Sequence, residues 1–123
     1  RQADIISCAT LSEAPLIQGS WLRPGAHRDL VGSFKPSMVE AATDCFIGNE
    51  VFVDTDEAPT KSGDLLKAFD TGRFSASDIR ADLQALCRGQ HPGRSSDQAI
   101  TVFKAVGSAL EDLTAAVLVY KAG

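Results

Sequence analysis

The stretch "LVGSFKP", Leu30 to Pro36, holds the residues best placed for chemistry: a glycine and a serine where an apolar run ends, then Phe34, then a turn at proline. Gly32 would let backbone approach a flat ligand closely, and the Ser33 hydroxyl can both donate and accept. The same pair also fits an ordinary strand-to-turn exit. A second candidate is "FKAVG", where Lys104 precedes a glycine and a long apolar-periodic run. Its cation, beside free N–H groups at a helix entrance, would hold a carboxylate or phosphate. The alternatives are that Lys104 snorkels to the surface, and that Ser108 with Glu111 forms a capping box needing no ligand.

These positions matter only if strands and turns bring them together. "ADIISCAT", ending at Thr10, is short, rich in isoleucine and apolar on both faces, as in a buried parallel strand. His27 to Gly32, Glu50 to Asp54 and Ala99 to Phe103 read as further strands. The gaps between them exceed hairpin loops, which predicts crossovers and parallel pairing, an α/β unit with flanking helices. In such a sheet ligands bind beyond the carboxyl ends of the strands: Thr10 to Ser12, Gly32 to Phe34, Asp54 to Asp56, and Lys104 to Gly107.

"SASDIRADLQALCRG" predicts a helix, with a capping box at Ser75 and Asp78, an apolar stripe at Ile79, Leu83 and Leu86, and a stop at Gly89. A long C-terminal helix carries Val106, Leu110, Leu113, Val117 and Tyr120 on one face, read as core. A third helix is expected within Met38 to Phe46, and a fourth near Asp56, shortened or broken by Pro59. The loop "GQHPGRSSDQ" reads as exposed.

The chain's 123 residues, 44% apolar, suffice for one domain. Lysine and arginine total 12 against 16 acidic residues, interspersed, for a net charge of −4. That argues against a nucleic-acid surface, which needs a basic face. Cys8, Cys45 and Cys87 have no C-x-x-C spacing and read as reduced packing residues of a cytoplasmic protein. His27 and His91 stand alone, so no metal site is expected. No segment has the length of a membrane span or the pattern of a signal peptide. The opening "RQADIISCAT" enters a strand without an initiator Met, as expected of a stretch from within a longer polypeptide. No G-x-G-x-x-G, P-loop, G-x-S-x-G or H-E-x-x-H is present, so no single motif specifies a reaction.

Taken in order, "ADIISCAT", "WLRPGAHRDLVGSFKP", "VFVD", "KSGDLL" and "HPGRSSDQAITVFKAVGSALEDLTAA" resemble the ornithine cyclodeaminase and mu-crystallin family over nearly the whole chain. "GDLL" followed by "TVFKAVGSALED" is the most specific part. The resemblance implies a Rossmann-type domain binding NAD or NADP, of which residues 1–123 are the second half. The glycine-rich phosphate loop would lie upstream, and a separate domain would supply the substrate-holding lysine and arginine.

Carried over by position, Thr10, Val31, Gly32, Ser33 and Ala105 correspond to residues at the cofactor, and Val106 and Gly107 to residues near the substrate. The family's cyclodeaminases place a proton-transferring aspartate where this chain has Phe34, and a lysine where it has Met38. A phenyl ring exchanges no proton, which argues against ornithine cyclodeamination. Mu-crystallin-like members also lack the aspartate. The resemblance thus implies an oxidoreductase for a cyclic imino acid or related amino acid, with that small molecule and further copies of the chain as partners. The competing expectation is a non-catalytic binding or assembly module. Cutting a parallel sheet there would leave the strand Ile5 to Ala9 with a free edge.

Overall fold

Five parallel strands carry the chain in the computed structural model, which describes residues 3–123. They are β1 (Ile5–Cys8), β2 (His27–Leu30), β3 (Glu50–Val53), β4 (Ile79–Asp82) and β5 (Thr101–Lys104), in the spatial order β1-β2-β5-β3-β4. The last strand therefore enters the middle of the sheet. Its register sets Val102 between Arg28 and Val51, and Lys104 between Leu30 and Val53. β1 forms an outer edge, and its Ile5 is largely exposed.

Helices α1 (Ala58–Lys61), α2 (Gly63–Asp70), α3 (Leu83–Cys87) and α4 (Ala109–Ala122) join them. The core joins Leu30, Val51, Val53 and Val102 of the sheet with Phe46, Leu65, Ala68 and Phe74. Phe74 stacks on Phe69 with centroids 5.7 Å apart and meets Phe46 at 6.2 Å. Pro59 sits in the first turn of α1, where its missing N–H costs nothing. The helix stops at Ser62, and α2 begins at once.

Three expectations are corrected. The helix predicted over Ser75 to Gly89 is divided into a 3-10 turn at Ala76–Asp78, strand β4, and the short α3. The Ser75–Asp78 capping box does form, but it starts only that turn. Extended backbone then wins at Ile79–Asp82, because Ile79, Ala81 and Asp82 pair with Val51, Phe52 and Val53 and protect β3 from being an edge. Asp82 accepts from Ala85 N–H at 2.7 Å and caps α3 afresh.

The helix expected within Met38 to Phe46 is reduced to a 3-10 turn at Thr43–Cys45. Its backbone groups are engaged elsewhere: Val39 N–H donates to Ser12, Ala42 N–H to Ile17, and the Glu40 carbonyl accepts from Leu16 and Ile17.

The third correction concerns α4. It starts at Ser108 through the expected box with Glu111, but its stripe is not core. Leu110 is 72% exposed and Tyr120 87%, with Leu113 and Val117 exposed between them. The core face of the sheet is filled by α2 and the 38–46 segment instead. Of the cysteines, only Cys45 is fully buried, which pushes its thiol up to about 11, whereas Cys87 is exposed.

Arg28 is fully buried on the core face of β2, yet only its Nη2 is engaged, donating to the Cys45 carbonyl at 3.2 Å. Its Nε and Nη1 have no partner among the described residues. Burial lowers its pKa, the expected direction for a cation out of water. Asn49 also donates to the Cys45 carbonyl, at 2.9 Å, so that oxygen stays satisfied without the arginine. Arg28→Met should therefore stabilise the chain, by about 1–3 kcal/mol. A rise in the urea midpoint at constant slope is the expected reading.

Candidate functional site

Strand ends at the carboxyl edge of the sheet are joined by buried acids. Glu40, with no exposed surface, accepts from Thr10 N–H at 2.6 Å and Thr10 Oγ1 at 2.9 Å through Oε1, and from Gly32 N–H at 2.7 Å through Oε2. It thereby ties the exit of β1 to the exit of β2. Its own N–H and that of Ala41 donate to Asp64 Oδ1, at 2.9 and 3.1 Å. Asp64 lies in the first turn of α2, where a carboxylate also faces the positive end of the helix. The Ser33 hydroxyl donates to the Met38 carbonyl at 2.6 Å and accepts from Asp64 N–H at 3.1 Å.

Lys104 neither snorkels nor waits for an anion. It is fully buried, donates to the Leu30 carbonyl at 2.9 Å, and stands 3.8 Å from Asp64 Oδ2. Burial pushes the Lys104 ammonium below its ordinary range and the Asp64 carboxyl above its own, and the attraction between them opposes both shifts. On the other side of β5, Asp54 Oδ2 accepts from Val106 and Gly107 N–H at 2.8 and 2.7 Å. Those amides, at the turn where Gly107 takes φ +82°, are therefore not free to cradle a ligand.

The geometry brings the expected residues Thr10, Val31, Gly32 and Ser33 to one place, the carboxyl ends of β1 and β2, with Ala105 and Val106 just past β5. Their roles there differ. Gly32 and Ser33 are buried, and the Thr10 hydroxyl is spent on Glu40. Three apolar side chains face outward there, Leu11 76% exposed, Val31 39% and Phe34 40%, with the charged Glu13 and Lys35 exposed nearby in the chain. Lys35 Nζ lies 5.8 Å from the centre of the Phe34 ring. Such a ledge can seat a flat ring by contact and exclude water, and its side chains offer no carboxylate or imidazole for proton transfer. Met38 is buried.

A separate cavity of about 700 Å³ opens between α4 and the ends of β3 and β4, lined by Asp54, Asp82, Leu83, Ser108 and Leu118. Its lining takes in the strand-end positions Asp54, Thr55 and Asp56, but none of Thr10, Val31, Gly32, Ser33, Ala105, Val106 and Gly107.

Sequence reasoning did not single out Glu40 or Asp64. The available signal was a lone carboxylate inside the apolar run "MVEAA", since a charge in such a run is buried only when its oxygens are satisfied. Among the described residues no group of three or more His, Cys, Asp or Glu could hold a metal, and no helix is long and apolar enough to cross a membrane.

The model of the ornithine cyclodeaminase/mu-crystallin family matches residues 1–122. The chain is 47% identical to Protein SAR DEFICIENT 4 of Arabidopsis thaliana, over 96% of the chain and 36% of that protein. It is 41% identical to the Delta(1)-pyrroline-2-carboxylate reductase of Paracoccus denitrificans, over 91% of the chain and 36% of the reductase. Among solved structures, the Thermococcus litoralis Delta(1)-pyrroline-2-carboxylate reductase in complex with NADH and L-proline superposes with a TM-score of 0.90 and 31% identity. That match covers 98% of the chain and 38% of the reductase. The chain thus spans little more than a third of the length of these relatives, and its α/β sheet is of the Rossmann type they contain.

Proposed function

The chain belongs to the ornithine cyclodeaminase/mu-crystallin family, and from that premise we propose that it forms the second half of a Rossmann-type domain in an NAD(P)-dependent oxidoreductase. The reaction is reduction of a cyclic ketimine carboxylate, with Delta(1)-pyrroline-2-carboxylate the first substrate to test. The carrying observation is the half-exposed Phe34 on an apolar ledge, at the strand exit where a cyclising member of the family needs its proton-transferring acid.

The residues fit one end of the cofactor. Leu11, Val31 and Phe34, exposed at adjoining strand exits, would offer apolar contact to a nicotinamide ring, while the glycine-rich turn for the pyrophosphate would belong to the upstream half. When bound, the reduced nicotinamide would supply a hydride to the imine carbon. Val31 and Leu11 shield that face from water. Thr10 and Gly32 hold the two strand ends level beneath it. Phe34 orients the planar imine by contact and moves no proton, so the proton on the product nitrogen comes from a bound water or another side chain. The outer edge of β1 is where the upstream strand of the same domain would pair, or where a further copy of the chain would meet it.

In the whole protein, Delta(1)-pyrroline-2-carboxylate with NADH or NADPH should bleach the reduced-nicotinamide absorbance and yield proline. L-Ornithine with the oxidised cofactor should give neither proline nor ammonia. Turnover of ornithine, or none of any cyclic imine, would overturn this reading.

A further inference from the structure

Glu40 does more than fill a gap in the core. All three hydrogen bonds that its carboxylate accepts come from the ends of β1 and β2, and none from its own segment. Its N–H is anchored on Asp64 and its carbonyl on Leu16 and Ile17, so the side chain hangs from a fixed backbone. The residues that it holds adjoin those facing outward: Thr10 precedes Leu11, and Gly32 follows Val31. Gly32 packs so closely against Thr10 and Glu40 that no Cβ fits between them.

We infer that Glu40 is a positioning residue for the reduction: its carboxylate fixes the relative height of the β1 and β2 exits, and so of the ledge on which the hydride-bearing ring rests. This rests on the reading of the site as a nicotinamide seat. Because hydride transfer needs reacting carbons held near contact distance, a ledge displaced by a fraction of an ångström slows the chemical step more than it weakens binding.

Glu40→Gln is the informative variant. The amide oxygen can still accept from Thr10, but the amide nitrogen must then face the Gly32 N–H, donor against donor, so the clamp opens on the β2 side alone. In the whole protein, with Delta(1)-pyrroline-2-carboxylate and NADH or NADPH, kcat per folded site should fall about 30-fold or more while KM for either substrate stays within about threefold. The isotope effect with cofactor deuterated at the transferred position should rise, since hydride transfer becomes more rate-limiting. A structural role would lower the melting temperature and the folded fraction only, leaving kcat per folded site and the isotope effect as in the wild type; that result would overturn the inference. If Glu40→Gln fails to fold by circular dichroism, Thr10→Val removes one bond of the same clamp. It should lower kcat severalfold and raise the isotope effect, and an unchanged kcat there would equally overturn the inference. A wild-type protein inactive on every imine would refute the functional reading itself, and this inference with it.

Discussion

Gly32→Ala is expected to cost about 4 kcal/mol of stability, from an overpacking strain of about 1–3 kcal/mol and a buried hydrogen bond worth about as much. A methyl group at Gly32 would lie 2.0 Å from the Thr10 carbonyl oxygen, 2.5 Å from Thr10 N and 2.3 Å from Glu40 Oε1. Two of those three atoms are backbone, so no side-chain rotation relieves the clash. Relief requires the exits of β1 and β2 to part, which breaks the bond from Gly32 N–H to Glu40 Oε2. A domain stable by about 5–15 kcal/mol would then lose a large fraction of its margin. The urea midpoint reads the loss directly. Gly48→Ala is the control: φ there is +76°, but nothing lies within 4 Å of the added carbon, so only backbone strain of about 1 kcal/mol is expected. Equal losses at the two positions would contradict the crowding argument.

The same glycine shows how far local sequence reaches. Its place at a strand exit was readable, because an apolar run ending in Gly-Ser before a proline marks a turn. The reason for its having no side chain was not, since the atoms in the way belong to Thr10 and Glu40, residues distant in sequence. Strands β1, β3 and β5 announced themselves as largely apolar runs with turn residues at their ends, and β2 by the Pro-Gly turn before it and the Gly-Ser exit after it. β4 did not, because "IRAD" sits inside a helical spacing, and only pairing with β3 makes it extended. The stripe on α4 is not core, for spacing shows which residues could share a face and not what covers it. Lys104 illustrates the limit most clearly. Its two plausible local fates were both wrong, because its partners come from Leu30 and Asp64.

Asp64 is where the second large effect is expected. Its carboxylate serves three groups at once: the buried N–H groups of Glu40 and Ala41 through Oδ1, and the charge of Lys104 through Oδ2. Asp64→Ala leaves both amides unpaired and the ammonium without its nearest carboxylate, held by the Leu30 carbonyl and by the more distant charges of Glu40 and Asp54. The expected loss is about 3–5 kcal/mol, typical of stranding one half of a buried pair. Asp64→Asn keeps an acceptor for the amides and should lose about half as much.

A pH series separates the charge effect from the lost hydrogen bonds. Lys104 already sits below its ordinary range through burial, and losing its nearest counter-charge pushes it lower still. A base whose folded pKa lies below its unfolded value binds fewer protons when folded, so stability climbs with pH. The deficit of Asp64→Ala against wild type should therefore shrink as pH rises from about 7 towards the lysine range near 10. Removing the cation as well, in Asp64→Ala with Lys104→Met, should recover much of the loss at neutral pH and abolish that slope. A deficit independent of pH, and a double variant no better than the single one, would mean that the amides alone need Asp64 and that the ion pair contributes nothing.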